Sequence, residues 1–362
     1  MIKRSRNGTQ QVKRTWEQIS LGRKHRLERK EQMRKVIFVG SAPFSGSTLL
    51  AMILGNDARG FTCGEAQNFL LPTKQFHPTL DCGCGDQECG LWPRLRKLGP
   101  EKLYETVFRT FPHTEFIVDS SKNPFWIQAQ SEYLKKRGIE TRNILIWKSP
   151  LEIAHSFQKR GRYQEWERSW VNYHRLYFAI IRDWRAIHYK DLVSDNAKLG
   201  AVCQYLDIPY FPQKDHYWEK IHHVIGGNYS AKIHLHHEGS PDFADAIKRD
   251  RSIIAEDVQT RFRTIYYEPV TDPVVTARVD QRVRRSNHIR RLTELFEAYD
   301  LEQGVISGRE WSAVSFSPVS VGLRKIKQAA KVILGTFRYG SWRRGRMIPI
   351  RSGGQIKGLK AK

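Results

Sequence analysis

Three short apolar runs, each followed by a helix-like segment, organise the first half of the chain. Val36-Ile37-Phe38-Val39 leads through GSAPFSGSTLL at 40–50 into Leu49-Leu50-Ala51-Met52-Ile53-Leu54. That layout predicts a strand over 36–40, a turn of small residues, and a helix over 47–55. Phe116-Ile117-Val118 precedes DSSKNP and a helix over 124–137. Asn143-Ile144-Leu145-Ile146-Trp147 precedes SPLEIAHSFQKR, whose Pro150 sits where a first helical turn tolerates it. Repeated strand–helix pairs imply βαβ units, hence an α/β fold: a P-loop-like three-layer sandwich with a central parallel sheet flanked by helices. Functional groups are then expected at the C-terminal ends of the strands.

The rest of the chain is less regular. Residues 15–35 read as a charged helix, and 56–100, with Gly, Pro and Cys, as a long irregular insertion. Residues 165–187 are rich in Trp and Tyr and look helical. Ala186-Ile187-His188-Tyr189 reads as a short strand leading through KDLVSD to a helix over 195–206. HHVIGGNYSAKIHLHHEGS reads as a loop region rich in Gly and His. No internal repeat is visible.

Charge changes the picture at the ends. The net charge is +24, but residues 36–310 carry 37 basic against 34 acidic residues. The excess lies in residues 1–35, with 12 basic and 3 acidic, and in 311–362, with 12 basic and none acidic. We therefore divide the chain into a basic N-terminal arm (1–35), a central domain (36–310) and a basic C-terminal tail (311–362). Basicity confined to the tails argues against a nucleic-acid groove running through the core. It favours contact with a polyanion or an anionic membrane surface, or simply solvated tails. In the last segment Leu323, Ile326, Ala330, Ile333 and Phe337 recur at helical spacing among Arg324, Lys325, Lys327 and Lys331. That is a basic amphipathic helix, for a membrane surface or for the protein's own core. No run approaches the ~20 apolar residues of a membrane span. The basic start lacks an apolar signal region, and five cysteines fit a reducing compartment. The expected location is cytoplasmic, with a peripheral membrane association open.

The loop at 41–48 is built to hold an anion. Ser41, Ser45, Gly46, Ser47 and Thr48 are small enough to let backbone N–H groups face a phosphate at the start of a helix. The GxxxxGK[ST] pattern of nucleoside-triphosphate loops is missing its lysine, so a nucleotide kinase is disfavoured. Farther on, Lys148 ends a strand and Ser156 follows in the next helix, so the two could converge on a second phosphate.

These segments resemble the sulfotransferases that use 3′-phosphoadenosine 5′-phosphosulfate (PAPS). SAPFSGSTLL is similar to their 5′-phosphosulfate loop, P-[KR]-S-G-[ST]-T-x-L, and WKSPLEIAHSF to their 3′-phosphate motif, with Lys148 in the place of an Arg and Ser156 in the place of the Ser. FTCGEAQNF resembles a segment whose Glu is the catalytic base in tyrosylprotein and bacterial members, which implies that role for Glu65. VDSSKNPF resembles a strand-end Lys-x-Pro-Phe whose lysine contacts the sulfonate and bridging oxygen, which implies that role for Lys122. HYKDLVSD is similar to a Tyr-Glu-Asp-Leu element. IGGNYSAKI is similar to a loop over the nucleotide, implying contacts from Asn228 and Lys232. The resemblance covers 34–240 and implies PAPS as donor and a hydroxyl or amine acceptor: a carbohydrate, lipid headgroup, small alcohol or protein tyrosine. No specific nucleic acid is expected. The sulfuryl group carries less charge than a γ-phosphoryl, so no metal is expected either.

One position departs from the pattern: Phe44 stands where the family keeps Lys or Arg. Lys122 alone, or His77 or His155, could supply the charge. Otherwise the chain is a catalytically silent nucleotide- or polyanion-binding protein of the same fold. The block DCGCGDQECGLW places Cys82, Cys84 and Cys89 as C-x-C-x₄-C. That spacing departs from common zinc pairs, so a glycine-rich cap with buried or redox-active thiols is preferred. A zinc reading would take Cys63 or His77 as fourth ligand. The histidines of 232–237 are read as lining the polyanion side of the cleft.

Overall fold

In the computed structural model the residues described are 34–71, 82–86, 88–236, 263–265, 267–298 and 315–339. Their centre is a five-stranded, all-parallel sheet in the order β2-β3-β1-β4-β5. The strands are β1 (Lys35–Gly40), β2 (Gly60–Gly64), β3 (Phe116–Asp119), β4 (Glu140–Trp147) and β5 (Arg185–His188). β1 is central. It pairs with β3 from Lys35↔Phe116 to Phe38↔Asp119 and with β4 from Lys35↔Glu140 to Gly40↔Leu145.

The alternation of side chains along β1 explains the layers. Val36 and Phe38 enter one apolar cluster and Ile37 and Val39 the other, and all four are fully buried. β4 repeats this, with Leu145 and Trp147 on the first side and Ile144 and Ile146 on the second. The continuous apolar run is thus a strand covered on both faces. The second side is packed by α1 (Ser47–Leu54), buried along its whole length, and by α9 (Asn196–Leu206). The first side is packed by α2 (Ala66–Leu70), α3 (Leu91–Leu98), α4 (Leu103–Thr110), α5 (Pro124–Lys135), α6 (Pro150–Gln158) and α7 (Trp166–Ile180). Helix α8 (Tyr189–Ser194) follows β5, and α10 (Tyr229–Lys232) follows the Gly-rich loop. Two helices beyond the sequence-based assignments, α11 (Pro273–Arg285) and α12 (Asn287–Ala298), complete the first layer. Phe296 of α12 stacks on Trp147 with centroids 4.5 Å apart. The α/β sandwich inferred from the three strand–helix pairs is the fold observed.

Two expectations change. The supposed insertion 56–100 contains β2, which forms an edge of the sheet by pairing with β3. The last segment does contain a helix, α13 (Pro318–Tyr339), but Val319, Leu323 and Ile326 are 64–74 % exposed, so these side chains are not docked on the core. Its start is held by Phe316, which lies between the guanidinium groups of Arg175 (4.4 Å) and Arg324 (3.9 Å). No described helix is long and apolar enough to cross a membrane. Of the expected helix over 15–35, residues 15–33 lie outside the described residues, as do His77 and His237, and Lys35 belongs to β1 instead of a helix.

Candidate active site

Every strand delivers a polar group to the same end of the sheet. Glu65 follows β2, Lys122 follows β3, the loop 41–46 follows β1, Lys148 follows β4 and Tyr189 follows β5. All of these, the loop through Pro43, Phe44 and Gly46, line one cavity of about 710 Å³, within the ~300–1,000 Å³ usual for small-molecule sites.

The floor of the cavity is the start of α1. Its N-cap, Gly46, has φ +98°, and a Cβ there would come within 2.5 Å of the Tyr189 ring. Only glycine fits this turn. The first turn of α1 carries no acid and no side-chain cap. Its N–H groups and the positive end of the helix dipole therefore face the cavity, the arrangement that binds an anion. Ser47 and Thr48 line the cavity; Ser41 and Ser45 are fully buried and do not. Thr48 Oγ1 instead accepts a 3.0 Å hydrogen bond from the Asn228 N–H, which fixes the loop 226–228 over α1. Asn228 lines the cavity, whereas Lys232 does not line it and is buried with its ammonium 5.3 Å from the Tyr229 ring.

On one wall Glu65 and Lys122 meet in a short ion pair. Asn68 Nδ2 donates to the other Glu65 oxygen at 2.8 Å. Both partners are held by backbone contacts. The Gln67 N–H donates to Ser121 Oγ at 3.0 Å, tying the end of β2 to the end of β3. Lys122 has φ +67°, unusual for a lysine, and its carbonyl accepts from Tyr173 Oη at 2.8 Å. The same hydroxyl accepts from the Ser41 N–H at 2.8 Å, so Tyr173 fixes the lysine relative to the anion loop. Beneath, buried Asp119 accepts from Ser121 N–H (2.6 Å), Tyr104 Oη (2.6 Å) and Trp126 Nε1 (3.2 Å).

On the opposite wall Lys148 Nζ donates to Ser156 Oγ at 3.0 Å and lies 4.2 Å from the Tyr189 ring centroid. Burial lowers its pKa to about 8, with Arg160 and Lys159 adding to the effect and Glu152 opposing it. Helix α6 begins with a capping box: Ser149 N–H donates to Glu152 Oε2 (2.7 Å) and Glu152 N–H to Ser149 Oγ (3.3 Å). Burial pushes the Glu152 carboxyl up, but His188 at 2.7 Å and the Ser149 contacts outweigh it and hold it at about 2.

Phe44 is not a gap in the wall. Its ring meets Phe157 edge-on, centroids 4.9 Å apart, and the Arg160 guanidinium lies over it at 4.3 Å. Arg160 also donates to the Ser156 carbonyl at 2.8 Å and lines the cavity, as do Lys159 and Arg162. The loop's aromatic ring thus seats a cation that arrives from the end of α6. Sequence reasoning missed Arg160, which lies just past the end of α6 and reaches back to the Ser156 carbonyl. His155, considered as the replacement cation, lines the cavity, but burial and Lys159 lower its pKa below the usual value. His234 also lines the cavity. Burial lowers its pKa to about 4, so it is neutral near pH 7.

No protein-family model and no curated protein sequence matches the chain. Among solved structures the chain is similar to sulfotransferase domains. The sulfotransferase domain from the curacin biosynthetic pathway is 17% identical, with 70% of this chain and 98% of that one covered and a TM-score of 0.40. The sulfotransferase domain from the Synechococcus PCC 7002 olefin synthase is 17% identical over 70% of this chain and 95% of that one, with a TM-score of 0.38. The sulfotransferase from Alicyclobacillus acidocaldarius is 14% identical over 63% of this chain and 98% of that one, with a TM-score of 0.33.

Proposed function

We propose that this chain is a sulfotransferase that moves a sulfonyl group from PAPS to a hydroxyl or amine acceptor. The observation that carries the reading is the Glu65–Lys122 pair, which shares one cavity with the open start of α1 and with a second cationic position at Lys148. In this reading the N–H groups of α1 hold the 5′-phosphosulfate, and Lys148 and Ser156 hold the 3′-phosphate. Glu65 takes the proton of the acceptor as the acceptor atom bonds to sulfur. The bond from sulfur to the bridging oxygen breaks, adenosine 3′,5′-bisphosphate leaves, and Lys122 stabilises the charge growing on that oxygen. The ion pair keeps both groups in reach of each other before substrates enter. Asn68 orients the carboxylate. The acceptor is a carbohydrate, lipid headgroup, small alcohol or protein tyrosine.

The test is to incubate the protein with PAPS and a cell extract and to search the products for the mass of an added SO₃, with adenosine 3′,5′-bisphosphate release measured in parallel. Sulfonated product with matching nucleotide release is expected. Binding of PAPS without release under any acceptor mixture would point to a silent nucleotide-binding protein. Binding of ATP in preference to PAPS would overturn the reading.

A further inference from the structure

The block that the active-site reading leaves unused is C-x-C-x₄-C. Cys82, Cys84 and Cys89 gather around His223, with one ligand atom from each and all four atoms within 4.8 Å of one another. It is the one such group of Cys, His and acid side chains among the described residues. We propose that these four side chains bind one structural zinc ion.

The distances fit the ion. Zinc–sulfur and zinc–nitrogen bonds of about 2.3 and 2.05 Å at a tetrahedral angle put sulfur and nitrogen about 3.6 Å apart. Cys82 Sγ and Cys89 Sγ each lie 3.6 Å from His223 Nδ1. Three thiolates and one imidazole make a closed shell, the composition of a structural site with no open position for substrate. None of the four residues lines the active-site cavity. His223, and not Cys63 or His77, is the fourth member. Cys63 is buried beside Asp119 and stands outside the group.

The surroundings hold the imidazole as a ligand shell requires. The His223 ring stacks on Phe61 (centroids 6.0 Å, 9° between planes) and lies 5.4 Å from Phe111. Its carbonyl accepts from Trp92 Nε1 at 2.9 Å. The next residues stitch the cysteine segment to the sheet: Gly83 N–H donates to the Val224 carbonyl at 2.9 Å, and Cys82 bridges Ile225 antiparallel. Ile225 then receives the Glu65 N–H at 2.7 Å and donates to the Cys63 carbonyl at 3.0 Å. Asn228, which closes over α1, is three residues on. The ion would therefore clasp the cysteine segment to the strand-like stretch that positions both Glu65 and the loop 226–228. This inference stands independently of the donor and acceptor assigned above.

Tag-free full-length protein purified without chelator should carry one zinc ion per chain by elemental analysis. Its three site thiols should resist a thiol reagent until a chelator is added. Replacement by Co²⁺ should give the strong visible bands and near-ultraviolet thiolate charge transfer of a tetrahedral site. Cys84→Ser or Cys89→Ser should lose the metal. His223→Cys should keep it and add thiolate-to-cobalt intensity, a control that does not depend on a failed fold. Protein that contains no zinc, takes up no Co²⁺ and has freely titrating or disulfide-bonded cysteines would overturn the proposal.

Discussion

Helices α1 and α6 start at the ends of neighbouring strands, line the same cavity and begin in opposite ways. The start of α1 is open: a glycine in the left-handed region, no side-chain cap and no acid in the first turn. The start of α6 is closed by Ser149 and Glu152, and His188 adds a further contact to that carboxylate. An open start binds an anion by its own N–H groups. A closed start has spent them, so on the proposed function recognition on that side passes to side chains: Lys148, Ser156 and Arg160. The first arrangement suits a group that must be held close by backbone while bonds change. The second suits a fixed charge that is recognised and not transformed. On the proposed function, the difference teaches that two anion positions in one cavity need not use the same device.

Three experiments break or sharpen this contrast. The largest effect belongs to the α1 side, where the chemistry is assigned. Glu65→Gln should leave nucleotide binding intact and lower turnover with PAPS by about 10²–10⁴. A variant with wild-type turnover places the base elsewhere and removes the distinction between a reacting and a recognising end.

The α6 side should respond to pH. Lys148 has a pKa lowered to about 8 by burial, so it is charged below that pH and increasingly neutral above it. Phosphate binding prefers the charged form. The advantage of adenosine 3′,5′-bisphosphate over 5′-AMP should therefore be full near pH 7. It should fall as pH rises above 8, by up to about tenfold per pH unit. Lys148→Arg, which stays charged, should flatten the profile. An unchanged profile in that variant assigns the titration to another group.

The smallest effect lies where the two sides join. Phe44→Leu removes the aromatic face beneath Arg160, a contact of about 0.5–1 kcal/mol, so donor affinity should fall roughly two- to five-fold. Combined with Arg160→Ala the losses should not add, because both substitutions remove the same contact. Additive losses, measured by calorimetry, would mean that Phe44 and Arg160 act separately.

Much of this was legible in the chain and some was not, for physical reasons. Strands β1, β3 and β4 announce themselves through the apolar runs of their doubly buried stretches, 36–39, 116–118 and 144–147. Glu65, Lys122, Lys148 and Ser156 were nominated because each follows a strand or sits in the helix after one, and the structure brings them into one cavity. Strand β2 was hidden, because GFTCG has glycine at both ends and no apolar period. Ser41, Ser45 and Lys232 carry the right chemistry but are buried and do not line the cavity, a placement that local spacing does not fix. Arg160 was missed because its ring partner Phe44 is distant in sequence, and His223 because its cysteine partners are. His223 is 134 residues from Cys89, and only the folded sheet edge brings them together.

The central claim is that backbone at α1 and side chains at α6 divide two anions between them, and nucleotide binding measured by calorimetry tests it most directly. Wild-type protein should bind adenosine 3′,5′-bisphosphate more tightly than 5′-AMP. Lys148→Ala should remove about 1.5–3 kcal/mol of that preference, the range for a charged hydrogen bond, and leave 5′-AMP affinity unchanged. Equal affinity for the two nucleotides in the wild type, or an equal loss for both in the variant, would contradict the account.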